Sequence, residues 1–304
     1  MKKFVSQILL FSILAITLVV VSLELSSYIV QSRGFKNSET ESNTLIIKDN
    51  EQYDVLFLGI SHARNFSRHR NHEMLEQITG KKIINIGQGG GACGLDEQKF
   101  YLEYFYRKEN KAKKVLFILS PPLMYSETLP IASNTFSEEK FSFDFLFSYL
   151  NTEGENKKER MIEYLRSKFT KQWITLSPSS KSSETSFLNK IDPETVEAGF
   201  KAAYGDSLSS ARFEKSCMTA EEIIQIANNH NSQAIFLVPP ALFGKWPGHD
   251  SCIEFAKKME QKYGCKYYDF SEAITTPAYY YDHHHLNSKG VEYFARTFLN
   301  PIIN

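Results

Sequence analysis

Five short apolar runs constrain the fold of this chain more than any other feature. They are Val55–Leu58, Ile83–Ile86, Lys113–Leu119, Ala234–Val238 and Lys266–Phe270. Each is too brief for a buried helix, and near-continuous apolar runs of this length suit strands covered on both faces. Patterns of helical period separate them. Helices are predicted over Asn71–Thr79, with Gly80 as its C-cap, and over Leu95–Lys108, Thr219–Asn229, Ser251–Tyr263 and Asn287–Leu299. Strands alternating with helices predict an α/β fold with a five-stranded parallel sheet between helix layers. Right-handed crossovers would bring the carboxyl ends of the strands to one edge, where open α/β sheets gather their ligands.

The amino terminus follows a different pattern. Lys2 and Lys3 precede an uncharged stretch that runs from Phe4 to Leu23. A bilayer-crossing helix needs roughly 20 such residues. The run exceeds the core of an ordinary signal peptide and no Ala-x-Ala site follows it, so an uncleaved anchor over residues 1–30 is expected ahead of a cleaved signal. With the positive end inside, the remainder is expected outside the cytoplasm, as a single-pass protein of the cell membrane. Residues 31–50 are polar and read as a linker, with the main domain over 51–304. Within it, residues 127–216 break the strand–helix rhythm. They read as an inserted cap with helices near Phe141–Leu150 and Arg160–Phe169, or as a solvent-exposed excursion. Outside the cytoplasm Cys93, Cys217, Cys252 and Cys265 could pair, and one bridge among the last three is expected. Their spacing is not that of a structural zinc site.

Three stretches carry candidate chemistry. Ser61 follows the first apolar run by way of Gly59 and Ile60, a position for a nucleophile or simply for a helix cap. Gly87-Gln88-Gly89-Gly90-Gly91-Ala92-Cys93-Gly94 follows the second run, as a loop that presents N–H groups to a ligand or as a tight turn. It matches neither the phosphate loop nor the dinucleotide fingerprint. Asp282-His283-His284-His285 precedes the last helix. A serine hydroxyl needs a base, and the base needs an orienting group; His285 and Asp282 can fill those roles. Successive histidines point in different directions, so no metal is expected there, nor any cofactor. Lys+Arg and Asp+Glu both number 35, which together with the absence of interleaved basic and aromatic residues argues against a nucleic-acid partner.

Together, Gly59-Ile60-Ser61, Asn85-Ile86-Gly87-x-Gly89-Gly90 and Asp282-x-x-His285-Leu286-Asn287 resemble the SGNH hydrolase superfamily of esterases, lipases and polysaccharide O-acetyltransferases. The resemblance spans residues 53–126 and 217–304. It implies a three-layer, flavodoxin-like sandwich with Ser61 as nucleophile, His285 as general base and Asp282 as orienting acid. It also implies an oxyanion hole from the N–H groups of Ser61 and Gly90, with Gly89 as the alternative register. Two positions depart from the family pattern. Gly-Ile-Ser replaces Gly-Asp-Ser, and Leu119-Ser120-Pro121-Pro122 stands where Gly-x-Asn-Asp is usual, leaving Ser120 as the substitute donor. The activity implied is that of an extracytoplasmic serine esterase or O-acyltransferase working on acyl esters of an envelope glycan or a small ester. The alternative is a non-catalytic relative that binds a polysaccharide or an envelope-assembly partner.

Overall fold

The computed structural model describes residues 1–89, 93–170, 173 and 186–304. Five parallel strands form one sheet: β1 (Gln52–Leu58), β2 (Ile83–Asn85), β3 (Lys111–Ile118), β4 (Gln233–Val238) and β5 (Lys266–Asp269), in the order β2-β1-β3-β4-β5. Leu56 pairs with Ile84 on one side and Val115 on the other, and Phe236 pairs with Tyr267 at the far edge. Strand order reverses direction at β1, between β2 and β3, so the crevice expected of a doubly wound sheet lies beyond the end of β1.

The pleat sorts the strand residues between two cores, because alternate side chains point to opposite faces. Leu56, Leu58, Ile84, Val115, Phe117 and Phe236 meet the helices Leu95–Arg107, Ser210–Asn229 and His249–Tyr263. Val55, Phe57, Ile83, Leu116, Ile118 and Ile235 meet Asn71–Thr79 and the closing helix that begins at Ser288. This is the three-layer arrangement expected from the apolar runs. The closing helix differs in detail: Ser288–Phe294 is α-helical, and Ala295–Leu299 widens into a π-helical turn before Asn300–Ile303. The helix predicted from Thr219 starts instead at Ser210, where Ser209 accepts the Arg212 N–H (3.2 Å) as its cap.

The middle of residues 31–50 packs on the domain, while Gln31–Gly34 and Lys48–Asn50 are exposed. Asn37, Thr40 and Ser42 through Ile47 are buried. Their polar side chains are the partners of an edge strand that would otherwise expose its backbone. Asn37 Oδ1 accepts the Asn85 N–H (2.9 Å), Asn37 Nδ2 donates to Asn85 O (2.8 Å), and Asn43 Nδ2 donates to Ile86 O (2.8 Å). The four cysteines are free thiols, so the expected bridge is absent. Cys252 and Cys265 are buried, packed as small hydrophobes within the first core.

The insertion has two parts. Helices Phe143–Leu150 and Lys157–Ser167 turn Phe145, Tyr149 and Tyr164 inward, and Phe145 and Tyr149 meet Phe100 of Leu95–Arg107 edge to face. Residues 186–204 lie instead beside the histidine turn. The Leu188 N–H donates to Tyr280 O (3.0 Å), and the Asp192 N–H donates to His283 Nε2 (3.0 Å). The helix there, Pro193–Tyr204, was not expected. Its signal is present in the sequence: Asp192 before Pro193 at the start and Gly205 after the end. The polar stretch Ser177–Glu184 lies outside the described residues.

Candidate active site

The turn after β1 places Ser61. Gly59 takes φ +141°, and a Cβ there would meet Ala63 Cβ and Ile118 O at 3.0 Å, so the bend from strand to helix requires glycine. A single helical turn, Ser61–Arg64, then begins with Ser61 at its amino end, where backbone N–H groups lack intrahelical acceptors. Asn85 fixes this turn from the neighbouring strand. Its Nδ2 donates to Ala63 O (2.7 Å) and its Oδ1 accepts the Gly87 N–H (3.0 Å). Asn65 Nδ2 donates to Leu286 O (2.7 Å) and so couples the serine turn to the histidine turn.

The histidine turn is built on Asp282. Its Oδ1 accepts the N–H groups of His284 (2.9 Å) and His285 (2.7 Å), and its Oδ2 lies 2.7 Å from His285 Nδ1. His285 Nε2 lies 2.8 Å from Ser61 Oγ. Sequence positions 61, 282 and 285 therefore form one hydrogen-bonded line. Burial opposes ionisation of Asp282, but the charge and hydrogen bond of His285, then His284 and the backbone, outweigh it and hold the carboxyl well below its ordinary value. The next helix is anchored by Asn287, whose Oδ1 accepts the Gly290 N–H (3.0 Å) and whose Nδ2 donates to Ala278 O (2.8 Å).

The His285 ring packs against two nearly parallel rings. Tyr281 stacks on it at 5.4 Å and His62 at 4.8 Å. His62 is buried, and neither of its ring nitrogens has a hydrogen-bond partner among the described residues. Burial, with the nearby His285 and His284, pushes its pKa well down against the pull of Asp282, so it is neutral. His284 is pushed down to about 3 by burial and His285. His62, His284 and His285 bring ring nitrogens within 4.8 Å of one another, the one such grouping among the described residues that could hold a divalent ion. His62 and His285 are only 29° from parallel, however, which points their in-plane lone pairs side by side rather than at one centre.

Comparison with known proteins adds little to this geometry. No family profile and no curated protein matches the chain. Among solved structures, one from Bacteroides fragilis NCTC 9343 described as a candidate acylhydrolase is similar over 86% of this chain and 94% of its own. Identity is 12% and the TM-score 0.42. A likeness of that degree carries no inference about chemistry.

Of the expected oxyanion groups, Ser120 closes β3 and its Oγ is buried with no partner among the described residues. Gly90 lies outside the described residues. At Gly89 a Cβ would fall 1.9 Å from Arg68 Nη2, so this glycine makes room for the guanidinium. Sequence reasoning missed the ionic support behind the serine. Arg64 is fully buried and donates to Asn85 O (2.8 Å), and Glu41 lies 3.4 Å from Arg64 and 2.8 Å from Arg68. Burial would raise the Glu41 carboxyl, but the two arginines hold it below its ordinary value. Glu41, Arg68, Gln88 and Gly89, with Glu138 and Glu163 of the insertion, line a polar cavity of about 350 Å³. Its lining residues are polar or charged apart from Gly89, unlike a pocket for a long acyl chain.

Proposed function

We propose that the chain is a membrane-anchored serine acyl-transfer enzyme acting outside the cytoplasm on acyl, foremost acetyl, esters of an envelope glycan. The observation that carries this reading is the line from Ser61 Oγ through His285 to Asp282, with contacts of 2.8 and 2.7 Å. Ser61 Oγ would attack the ester carbonyl while His285 Nε2 takes its proton, and the ionised Asp282 would stabilise the resulting imidazolium. His285 would then return that proton to the departing sugar oxygen, leaving an acyl-serine. Water or a second sugar hydroxyl, deprotonated by the same nitrogen, would release the acyl group as acid or as new ester. The two outcomes use the same residues.

In this reading the Ser61 and Gly90 N–H groups and the Ser120 hydroxyl stabilise the oxyanion. Each such donor is typically worth about 10²–10³ in rate. The unpartnered Ser120 Oγ supports its part, since a buried hydroxyl without a partner calls for an explanation. The polar side chains that line the cavity beside Gly89 support a sugar rather than a fatty chain as its occupant. This agrees with the expectation from the SGNH resemblance.

A fluorophosphonate probe and p-nitrophenyl acetate test the proposal on the full-length protein. The parent should be labelled and should hydrolyse the ester, and Ser61→Ala should do neither while unfolding at the same temperature. A well-folded parent that takes up no probe and releases no nitrophenol would leave the cleft a binding site and sink the enzyme reading.

A further inference from the structure

The amino-terminal helix is longer than a bilayer requires. Lys2–Ser32 has 31 residues, about 46 Å at the α-helical rise, against a hydrocarbon core of roughly 30 Å. The excess is spent on the domain. Residues up to Ser22 are almost entirely exposed, and Phe4–Ser22 alone covers about 28 Å. Beyond them Leu23, Ser27 and Val30 share one helix face. Leu23 packs against the aromatic core, Ser27 is buried, and Val30 is buried beside Leu45 and Trp173. A helix that crosses the bilayer and then docks without a break brings the bilayer surface to the level of Leu23 and Glu24.

Leu23 packs against the core cluster to which Phe141, Phe145 and Tyr164 of the insertion belong, and the neighbouring Glu24 acts by its charge on Lys140 and Tyr164. Tyr164 lies on the second insertion helix and Lys140 just ahead of the first. The Tyr164 hydroxyl ties them together by accepting the Ser142 N–H (3.0 Å) and donating to Lys140 O (3.0 Å). Each helix buries one face in the core and leaves apolar side chains on the other. Phe143, Phe147 and Leu150 recur at helical spacing on the first, with Phe147 58% exposed, and Ile162 and Leu165 stand out from the second, with Ile162 51% exposed. Lys158, Glu159 and Arg166 are exposed on that second helix as well, and Asp144 on the first. Outward apolar residues flanked by charged ones that can meet the headgroups are characteristic of helices that lie in a membrane interface.

We infer that helices Phe143–Leu150 and Lys157–Ser167 rest in the headgroup region of the same bilayer the anchor crosses, with Phe147 and Ile162 reaching toward the acyl chains. The domain is thereby seated on the membrane rather than suspended from it. Glu163, on the second of these helices, also lines the polar cavity, so that cavity opens close to the lipid headgroups. The inference rests on the reading of residues 1–30 as a membrane anchor and is independent of the acyl-transfer chemistry.

The test uses the full-length chain in phosphatidylcholine nanodiscs made with or without brominated acyl chains. Phe147→Trp and Ile162→Trp serve as reporters and Glu254→Trp, on helix His249–Tyr263, as the control. Both reporters should lose most of their added emission in brominated discs, and the control should lose none. Reporters no more quenched than the control, or shielded by a co-purifying protein, would overturn the inference. Alkaline extraction from native membranes separates the two readings. A chain released at high pH fails as an anchored protein, and the docking surface fails with it. A chain that stays embedded with unquenched reporters fails only in the docking.

Discussion

The serine–histidine edge and the insertion both rest on carboxylates with several hydrogen-bond partners, and they find those partners over very different distances along the chain. Asp282 is satisfied within its own turn, by the N–H groups of His284 and His285 and the ring of His285. In the insertion, Glu139 takes its partners from distant parts of the sequence: the Asn43 and Thr44 N–H groups, the Ser42 and Thr44 hydroxyls and the Tyr101 hydroxyl. Glu97 pairs with Arg160, 63 residues later, and both side chains are fully buried. Local satisfaction preorganises a geometry wherever the turn forms. Long-range satisfaction holds two parts of the chain together and fails as a unit when one member is lost. Changes at the edge are therefore expected to cost chemistry with little stability, and changes in the insertion the reverse.

Asp282→Asn should break the comparison most visibly on the chemical side. The amide can still accept the two backbone N–H groups, so the turn survives. It cannot stabilise an imidazolium or hold the required tautomer, and kcat for p-nitrophenyl acetate should fall by about 10⁴. Thermal unfolding close to that of the parent would show that the turn is intact. A kcat within tenfold of the parent would remove Asp282 from the proposed mechanism.

Arg160→Met is the counterpart. Besides Glu97, Arg160 donates to the carbonyls of Leu129, Pro130, Ala132 and Glu155. Its loss leaves Glu97 buried without a counter-charge, where burial already raises the carboxyl against the pull of Arg160. Urea unfolding should show about 3–5 kcal/mol of destabilisation. Adding Glu97→Gln should recover part of it, since the two sites are coupled. Fluorophosphonate labelling of the folded fraction should keep the parent rate. A slowed rate would mean that the insertion also shapes the edge.

The same contrast explains what could be read from the sequence. Strands β1 to β4 announce themselves as apolar runs because the sheet is covered on both faces, and the Asp282–Asn287 turn is legible because its partners are a few residues apart. Residues 31–50 resist such reading. Asn37, Ser42, Asn43 and Thr44 look like a solvated linker, and nothing local shows that their acceptors are Asn85, Ile86 and Glu139. His62 was missed for a similar reason. Beside Ser61 it is one more polar residue in a turn, and only the fold stacks it on His285. The helix Pro193–Tyr204 is a different kind of miss, since its Asp-Pro start and Gly stop were available.

The smallest expected effect sharpens the comparison through pH. His72 lies away from the serine edge, on helix Asn71–Thr79, with Nδ1 3.3 Å from Ser67 Oγ. Burial lowers its pKa to about 4, Glu73 opposing and Arg64 reinforcing the shift. In the unfolded chain it titrates near 6.5. Between those values the unfolded state binds the extra proton, so stability is full above about pH 6.5 and declines as pH falls toward 4. Each unit of pH in that window removes at most about 1.4 kcal/mol through this one residue. His284, its pKa pushed down to about 3 by desolvation and His285, contributes with the same sign, so its share remains when His72 is removed. His72→Gln should therefore flatten, without abolishing, the decline in urea midpoint between pH 6.5 and 4. Because His72 touches neither Ser61 nor His285, the pH profile of fluorophosphonate labelling should stay that of the parent. A labelling profile that moved with this substitution would show that the two regions communicate, and the division between chemistry and stability would no longer hold.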